Sequence, residues 1–277
     1  MHGIILIDKE KGKTSRDVVN DVSKIIGTKK VGHTGTLDPI ASGLLVLCVN
    51  EGCKLVELLT GYEKDYIAKV KLGVKTDTYD ITGKIIEKNN NYKIDFDNLS
   101  RVLNSFVGEY NQQVPIYSAI KVKGKKLYEY ARNNESVQIP FHKVNIKKIK
   151  LLSLDKDSFS FFVTVSSGTY IRSLINDIGN KMGICMTMEE LRRTKVGNFK
   201  IEDACNLNSI NIIPIEKALE IKKVDVPSNL EKRIINGAKI DNIYDCDKVM
   251  FIKDNIPIAI YNSDKDGIMR LYRKFNL

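Results

Sequence analysis

The densest concentration of reactive and conformationally special residues lies at Gly32-His33-Thr34-Gly35-Thr36-Leu37-Asp38-Pro39, followed by Ala41-Ser42-Gly43. Closely spaced glycines, a threonine-rich turn and a proline directly after Asp38 describe a constrained loop. A carboxylate held in such a loop can be aimed at a substrate; an Asp-Pro pair can equally cap the element that follows, and local pattern leaves both uses open. A second cluster is Ser166-Ser167-Gly168-Thr169-Tyr170-Ile171-Arg172, in which Thr169 is suited to cap a helix. With a helix opening there, Tyr170 and Arg172 fall in its first turn, where the dipole disfavours a cation. Such a cation is either a solvated surface arginine or one with a use, pairing with a carboxylate or phosphate. The third group is Asp65-Tyr66-Ile67-Ala68, where Tyr66 reads as core filling or as a flat face on which a base stacks.

The elements that must position these clusters are legible as periodicities. Gly3 to Asp8 is an apolar run that reads as a strand. Thr14 and Ser15 offer caps to a helix with Val18, Val19, Val22, Ile25 and Ile26 on one face, closed by Gly27. The glycine-punctuated loop of Asp38 leads into the buried run LLVLCV, Lys64 to Val74 alternates as an amphipathic strand, and Phe96 to Val107 repeats near the helical period. From Lys121 to Lys150 nine Lys or Arg face two Glu, a net of +7. Strands are expected over Val144 to Leu154 and Phe159 to Ser166, with Asp155 to Ser158 as their turn, and a helix near Thr169 carries Ile171, Leu174, Ile175 and Ile178. Pro227 marks the expected domain boundary, beyond which VMFIK, PIAIYN and IMRLYR suggest a small β domain. The expected fold class is α+β with a β-rich tail.

Across 277 residues, 43% apolar and 28% charged composition is that of a globular chain. Forty-four Lys and Arg against 34 Asp and Glu give a net charge of +10, which makes a polyanion the first partner to consider. No stretch approaches the ~20 apolar residues of a membrane span, and the opening residues lack a signal peptide's apolar core, so a cytoplasmic chain is expected. Cys48, Cys53, Cys185, Cys205 and Cys246 are scattered, without a CxxC pair, and only three histidines accompany them. Neither a disulfide framework nor a zinc site is expected.

Taken together, the clusters resemble the TruB family of bacterial tRNA pseudouridine synthases. GHTGTLDPxAxGxL at 32–45 is similar to the family signature. The resemblance extends to Gly3, Asp8, Lys9, Gly12, Thr14 and Ser15, then to Lys64, Tyr66, Ala68, Gly73, Thr76, Asp77, Thr78, Asp80 and Gly83. It continues through PIYSAIKVKGKKLYEYAR at 115–132, GTYIRSL at 168–174 and LRRTKVGNF at 191–199. In one departure, Lys9 is followed by Glu10 where the family usually has proline.

The resemblance implies a mixed, mostly antiparallel sheet of pseudouridine synthase type over 1–224, and a PUA-like RNA-binding domain over 225–277. It also implies a basic thumb insertion at about 111–150. The implied reaction isomerises uridine to pseudouridine at position 55 in the T-loop of tRNA, without a guide RNA. Substrate and product are isomers, so no cofactor or metal is implied. The resemblance makes Asp38 the catalytic carboxylate, Arg172 the cation paired with it and Tyr66 the aromatic under the target base. A neighbouring guanidinium favours the ionised form of a carboxylate, which is the form able to stabilise positive character at C1′, as in glycoside chemistry. His33, Tyr170, Lys9, Leu191, Lys125, Lys126 and Arg132 are the implied substrate contacts. The target nucleotide must be everted from its RNA, at a cost of a few kcal/mol, and a monomer is expected. A tRNA-binding folding helper and a guide-dependent enzyme are the alternative readings.

Overall fold

The computed structural model describes residues 1–89 and 91–277. Its first strand, Gly3–Lys9, runs into the helix Ser15–Ile26. Thr14 is the N-cap: its hydroxyl accepts the Asp17 amide while Asp17 accepts the Thr14 amide, a reciprocal capping box. Gly27, left-handed at φ 74°, ends the helix, and Val18, Val19 and Val22 bury against Ile5, Ile7, Leu45 and Leu47.

The central sheet has ten strands, mixed and mostly antiparallel as expected. Its main path runs Ile213–Pro214, Gly3–Lys9, Ser42–Val49, Met186–Val196, Lys64–Leu72, Ser158–Val165, Phe141–Leu154, Gly108–Gln113. Strands Ser42–Val49 and Met186–Val196 meet in parallel, with Arg193 opposite Gly43. Gly43 sits at φ 104°, and a Cβ there would lie 2.3 Å from the Arg193 carbonyl oxygen, so this crossing requires glycine. Helices Phe96–Asn104 and Ile171–Met182 cover one face of the central strands, packing Leu99, Leu103, Leu174, Ile175 and Ile178 against Ala68, Val70, Phe159, Phe161 and Val163.

Three boundaries differ from the sequence expectation. The helix expected near Thr169 opens at Ile171, because Thr169 spends its hydroxyl on the Ser166 carbonyl. Gly108–Gln113 and Phe141–Leu154 pair with each other inside the sheet, so the thumb expected from 111 projects only as residues 114–140. The protruding part holds the hairpin Lys121–Val122 with Lys125–Lys126 and the helix Leu127–Arg132. The second sheet, of five strands, starts with Lys222–Asp225, which pairs with Lys248–Lys253, so it begins ahead of Pro227 and of the expected boundary at 225. That strand carries one apolar residue, Val224, among charged ones, which is why its pattern is weak.

The two sheets share a core. Met250, Ile252, Ile260 and Phe275 from the small sheet and its C-terminal end pack with Leu55, Leu59, Ile215 and Leu219, and the Arg273 guanidinium pairs with Glu57. Among the described residues no helix is long and apolar enough to cross a membrane.

Two expectations follow from this packing. Phe275 is buried in the shared core, so Phe275→Ala should cost about 3–5 kcal/mol. Calorimetry should still show one transition, because the two sheets unfold together; two separated transitions would refute the shared core. Asp177, on the helix Ile171–Met182, has its carboxyl pushed up to about 6 by burial. A raised carboxyl favours the folded state fully below about pH 4, and that contribution is lost as pH rises through 6. Asp177→Asn should therefore be neutral near pH 4 and stabilise the fold by about 1–3 kcal/mol above pH 7. Urea unfolding at the two pH values checks the difference.

Candidate active site

Asp38 stands at the bend between the short strand Val31–His33 and Ser42–Val49, and three neighbours fix its loop. Ser15 accepts the Leu37 amide at 2.9 Å and donates to the Leu37 carbonyl at 3.2 Å. The Gly12 amide donates to the Pro39 carbonyl at 2.7 Å. The buried Arg193 donates to the Gly35 carbonyl at 3.0 Å and the Leu44 carbonyl at 2.7 Å, bracing both ends of the loop. The Thr14-Ser15 pair is thus divided: Thr14 caps the helix and Ser15 clamps the loop.

Arg172 reaches Asp38 from the first turn of the helix Ile171–Met182. Its Nε lies 2.9 Å from Asp38 Oδ2 and an Nη lies 3.3 Å from Oδ1, a bidentate pair. The arginine side chain is 6% exposed and the carboxylate 36%, so the cation is sunk while the anion faces the opening. The rest of the fork is also matched. One Nη donates to the Tyr117 carbonyl at 3.1 Å, the other to the Thr78 carbonyl at 3.0 Å and lies 3.9 Å from Asp80 Oδ2. Asp80 is held in turn by Thr78 and Thr82. A cation at an unfavourable helix end is therefore tied to two carboxylates and two carbonyls.

Asp38 and Arg172 line a cavity of about 420 Å³ together with Tyr66, Lys64, Leu191, Tyr170, Tyr117 and Tyr128. Tyr66 is both core and wall: it packs in the main apolar cluster and also lines the cavity. Lys64 is buried, which brings its ammonium down to about 8, with nearby Arg193 adding to the effect. Its Nζ donates to the Thr60 and Tyr62 carbonyls at 3.0 and 2.7 Å. Burial raises the Tyr170 phenol. A second cleft of about 450 Å³, lined by Leu6, Tyr62, Phe199 and Glu220 among others, holds none of the clustered residues.

The structure thus brings together Asp38, Arg172, Tyr66, Tyr170 and Leu191. The other expected contacts lie elsewhere. His33 ends its strand beside the loop, half-buried, with Nδ1 unpartnered among the described residues; burial first, then Arg16 and Arg193, lower its imidazole. Lys9 is 1% exposed, and its Nζ donates to the Glu10 and Lys13 carbonyls at 2.9 and 2.7 Å. That corrects its expected role: it braces the turn behind Asp38 instead of presenting its amine to a ligand. With the Glu10 carbonyl accepting this amine, glutamate in place of proline leaves the turn closed. Lys125 pairs with Glu135 at 2.6 Å and lies over Tyr130, while Lys126 and Arg132 flank the Tyr128 ring. Ser15, Asp80 and Arg193 escaped as site residues, although each lies in a quoted motif, because what they hold is main chain or another side chain.

Residues 23–171 match the model of the TruB family pseudouridylate synthase N-terminal domain, and residues 172–223 match that of the tRNA pseudouridylate synthase B C-terminal domain. The chain is 43% identical over 273 residues to tRNA pseudouridine synthase B of Clostridium tetani, spanning 96% of this chain and 93% of that protein. It is 42% identical over 284 residues to the protein of the same name from Oceanobacillus iheyensis, spanning 95% and 93%. The fold is similar to that of a chain in an H/ACA RNP bound to a substrate RNA containing 2′-deoxyuridine, with TM-score 0.73 and 24% identity over 99% of this chain and 85% of that one. It is also similar to a chain of a Cbf5-Nop10-Gar1 complex, with TM-score 0.70 and 27% identity over 94% and 78%. On this evidence the chain belongs to the TruB family of pseudouridylate synthases.

Proposed function

We propose that this chain converts uridine to pseudouridine at position 55 in the T-loop of tRNA, without a guide RNA, using Asp38. The observation that carries the reading is the bidentate Arg172–Asp38 pair beside Tyr66 in one cavity. The relatives named for tRNA modification, matched along almost their whole length, support the substrate.

The chemistry follows from the groups present. Breaking the C1′–N1 bond develops positive character at the sugar, and an ionised carboxylate at the cavity opening is placed to stabilise or trap it. Arg172 orients Asp38 through its bidentate contact. Tyr66 offers a flat face to the detached uracil while it turns, and its phenol is the candidate to accept or relay the C5 proton. Tyr170 and Leu191 enclose the base. The nucleotide enters only when everted, and His33, beside the Asp38 loop, is placed to occupy the space it leaves. Residues up to 221 act as the catalytic domain and the five-stranded unit from Lys222 onward as a PUA-like RNA-binding domain, in a monomeric cytoplasmic enzyme. Lys125, Lys126 and Arg132 of the 114–140 projection contact phosphates, and Tyr128 of the same segment lines the cavity.

Asp38→Asn should lower turnover of an unmodified tRNA transcript by about 10²–10³-fold or more, the scale of removing one group that stabilises developing charge. Its tRNA Kd should stay within a few-fold. An asparagine variant that turns over like the wild type removes the mechanism, and an inactive wild type on transcript alone points to a guide or partner. Neutralising Lys125, Lys126 and Arg132 together should flatten the log–log salt dependence of binding by up to about three units. An unchanged slope returns 114–140 to a solvated basic face.

A further inference from the structure

The helix that delivers Arg172 opens without a cap of its own. Tyr170 occupies the N-cap in an extended conformation, φ −100° and ψ 112°, and its side chain accepts no hydrogen bond from the helix. A buried amide from another element takes this place. Gln112, 1% exposed on the strand Gly108–Gln113, accepts the Tyr170 amide on Oε1 at 2.8 Å and donates from Nε2 to the Tyr170 carbonyl at 3.1 Å. The Tyr170 amide can only donate and its carbonyl only accept, so the orientation of the glutamine is dictated. Nε2 also donates to the Tyr110 hydroxyl at 2.6 Å. One turn on, Ser173 Oγ donates to the Gln113 carbonyl at 2.8 Å, so the strand grips the helix on both sides of Arg172.

We infer that Gln112 is a positioning residue for the reaction: by clamping both main-chain polar groups of Tyr170, it sets where Tyr170 and the Arg172 guanidinium enter the cavity. The inference rests on the reaction proposed above. Ile171, Leu174, Ile175 and Ile178 hold the helix body against the sheet whatever residue 112 is. Losing the clamp therefore frees the helix start and leaves the helix docked. A displacement of about 1 Å at a reacting group costs on the order of 10²-fold in rate. The same strand leads to Tyr117, whose carbonyl accepts from Arg172, so one segment holds both the main chain that starts the helix and the guanidinium that the helix delivers.

Gln112→Met keeps the volume and removes all three side-chain hydrogen bonds, the two to Tyr170 and the one to the Tyr110 hydroxyl. Its kcat on tRNA transcript should fall about 10–100-fold while KM and tRNA Kd stay within threefold and the melt remains cooperative. Gln112→Glu, which accepts the Tyr170 amide but cannot donate to its carbonyl when ionised, should lie between methionine and wild type. It also decides the question alone if the methionine protein does not fold. Gln112→Met turning over within threefold of wild type overturns the inference, and so does Gln112→Glu turning over indistinguishably from wild type. So does a loss of kcat matched by equal losses in tRNA affinity and melting temperature, the mark of a purely structural residue. Wild-type turnover is the reference: an inactive wild type defeats the proposed reaction, whereas active wild type with equally active variants defeats only the role of Gln112.

Discussion

A guanidinium almost wholly removed from water is stable only when each face of its fork is matched, and the site is organised around meeting that demand for Arg172. Its four partners come from three places in the chain: Asp38 from the glycine-rich loop, Thr78 and Asp80 from the turn after Val74–Thr76, and Tyr117 from the segment after Gly108–Gln113. None of these is near another in sequence except the second pair. The cation therefore acts as the point on which the loop, the turn and the projection converge, and moving any one of them leaves a buried charge short of a partner.

Three further cations lie buried near the cavity, and they are satisfied differently. Lys9, Lys64 and Arg193, at 1%, 7% and 1% exposure, direct their hydrogen bonds to main-chain carbonyls. A carbonyl satisfies a donor without cancelling its charge. The cavity therefore keeps a positive field, in which a carboxylate at its opening is favoured and the phosphates of the proposed RNA substrate would be. The lowered ammoniums of Lys9 and Lys64 are the cost of this arrangement: burial opposes their charge, and for each a neighbouring Arg193 opposes it further.

Much of this was legible in the sequence where local chemistry and periodicity agree. The helix after Thr14, the run behind Ser42 and the alternating strand of Tyr66 declare themselves because one face of each is apolar. The anomaly of a cation in a helix's first turn pointed only to a carboxylate or phosphate partner, and the family resemblance named Asp38 as that partner. What stayed hidden was whatever works through main chain. Gln112 sits in a polar strand that reads as surface, and only the fold shows its amide meeting Tyr170. Lys9 has the look of a ligand contact, yet its amine turns inward onto carbonyls two turns of chain cannot reveal. The strand at Lys222–Asp225 escaped because charged residues dominate it, and pairing with Lys248–Lys253, not its own pattern, makes it a strand.

The sharing of Arg172 has a consequence for the chemistry. If Asp38 were its sole anionic partner, a carboxylate turning toward the sugar would strand a buried cation, and the motion would carry the full desolvation penalty of the arginine. With the Thr78 and Tyr117 carbonyls bound and the Asp80 carboxylate 3.9 Å away, the guanidinium would keep three partners while Asp38 engaged the substrate in the proposed reaction. The loop braces then decide the direction of that engagement, because Ser15 and Arg193 hold the main chain on either side of Asp38 and leave only its side chain free to turn.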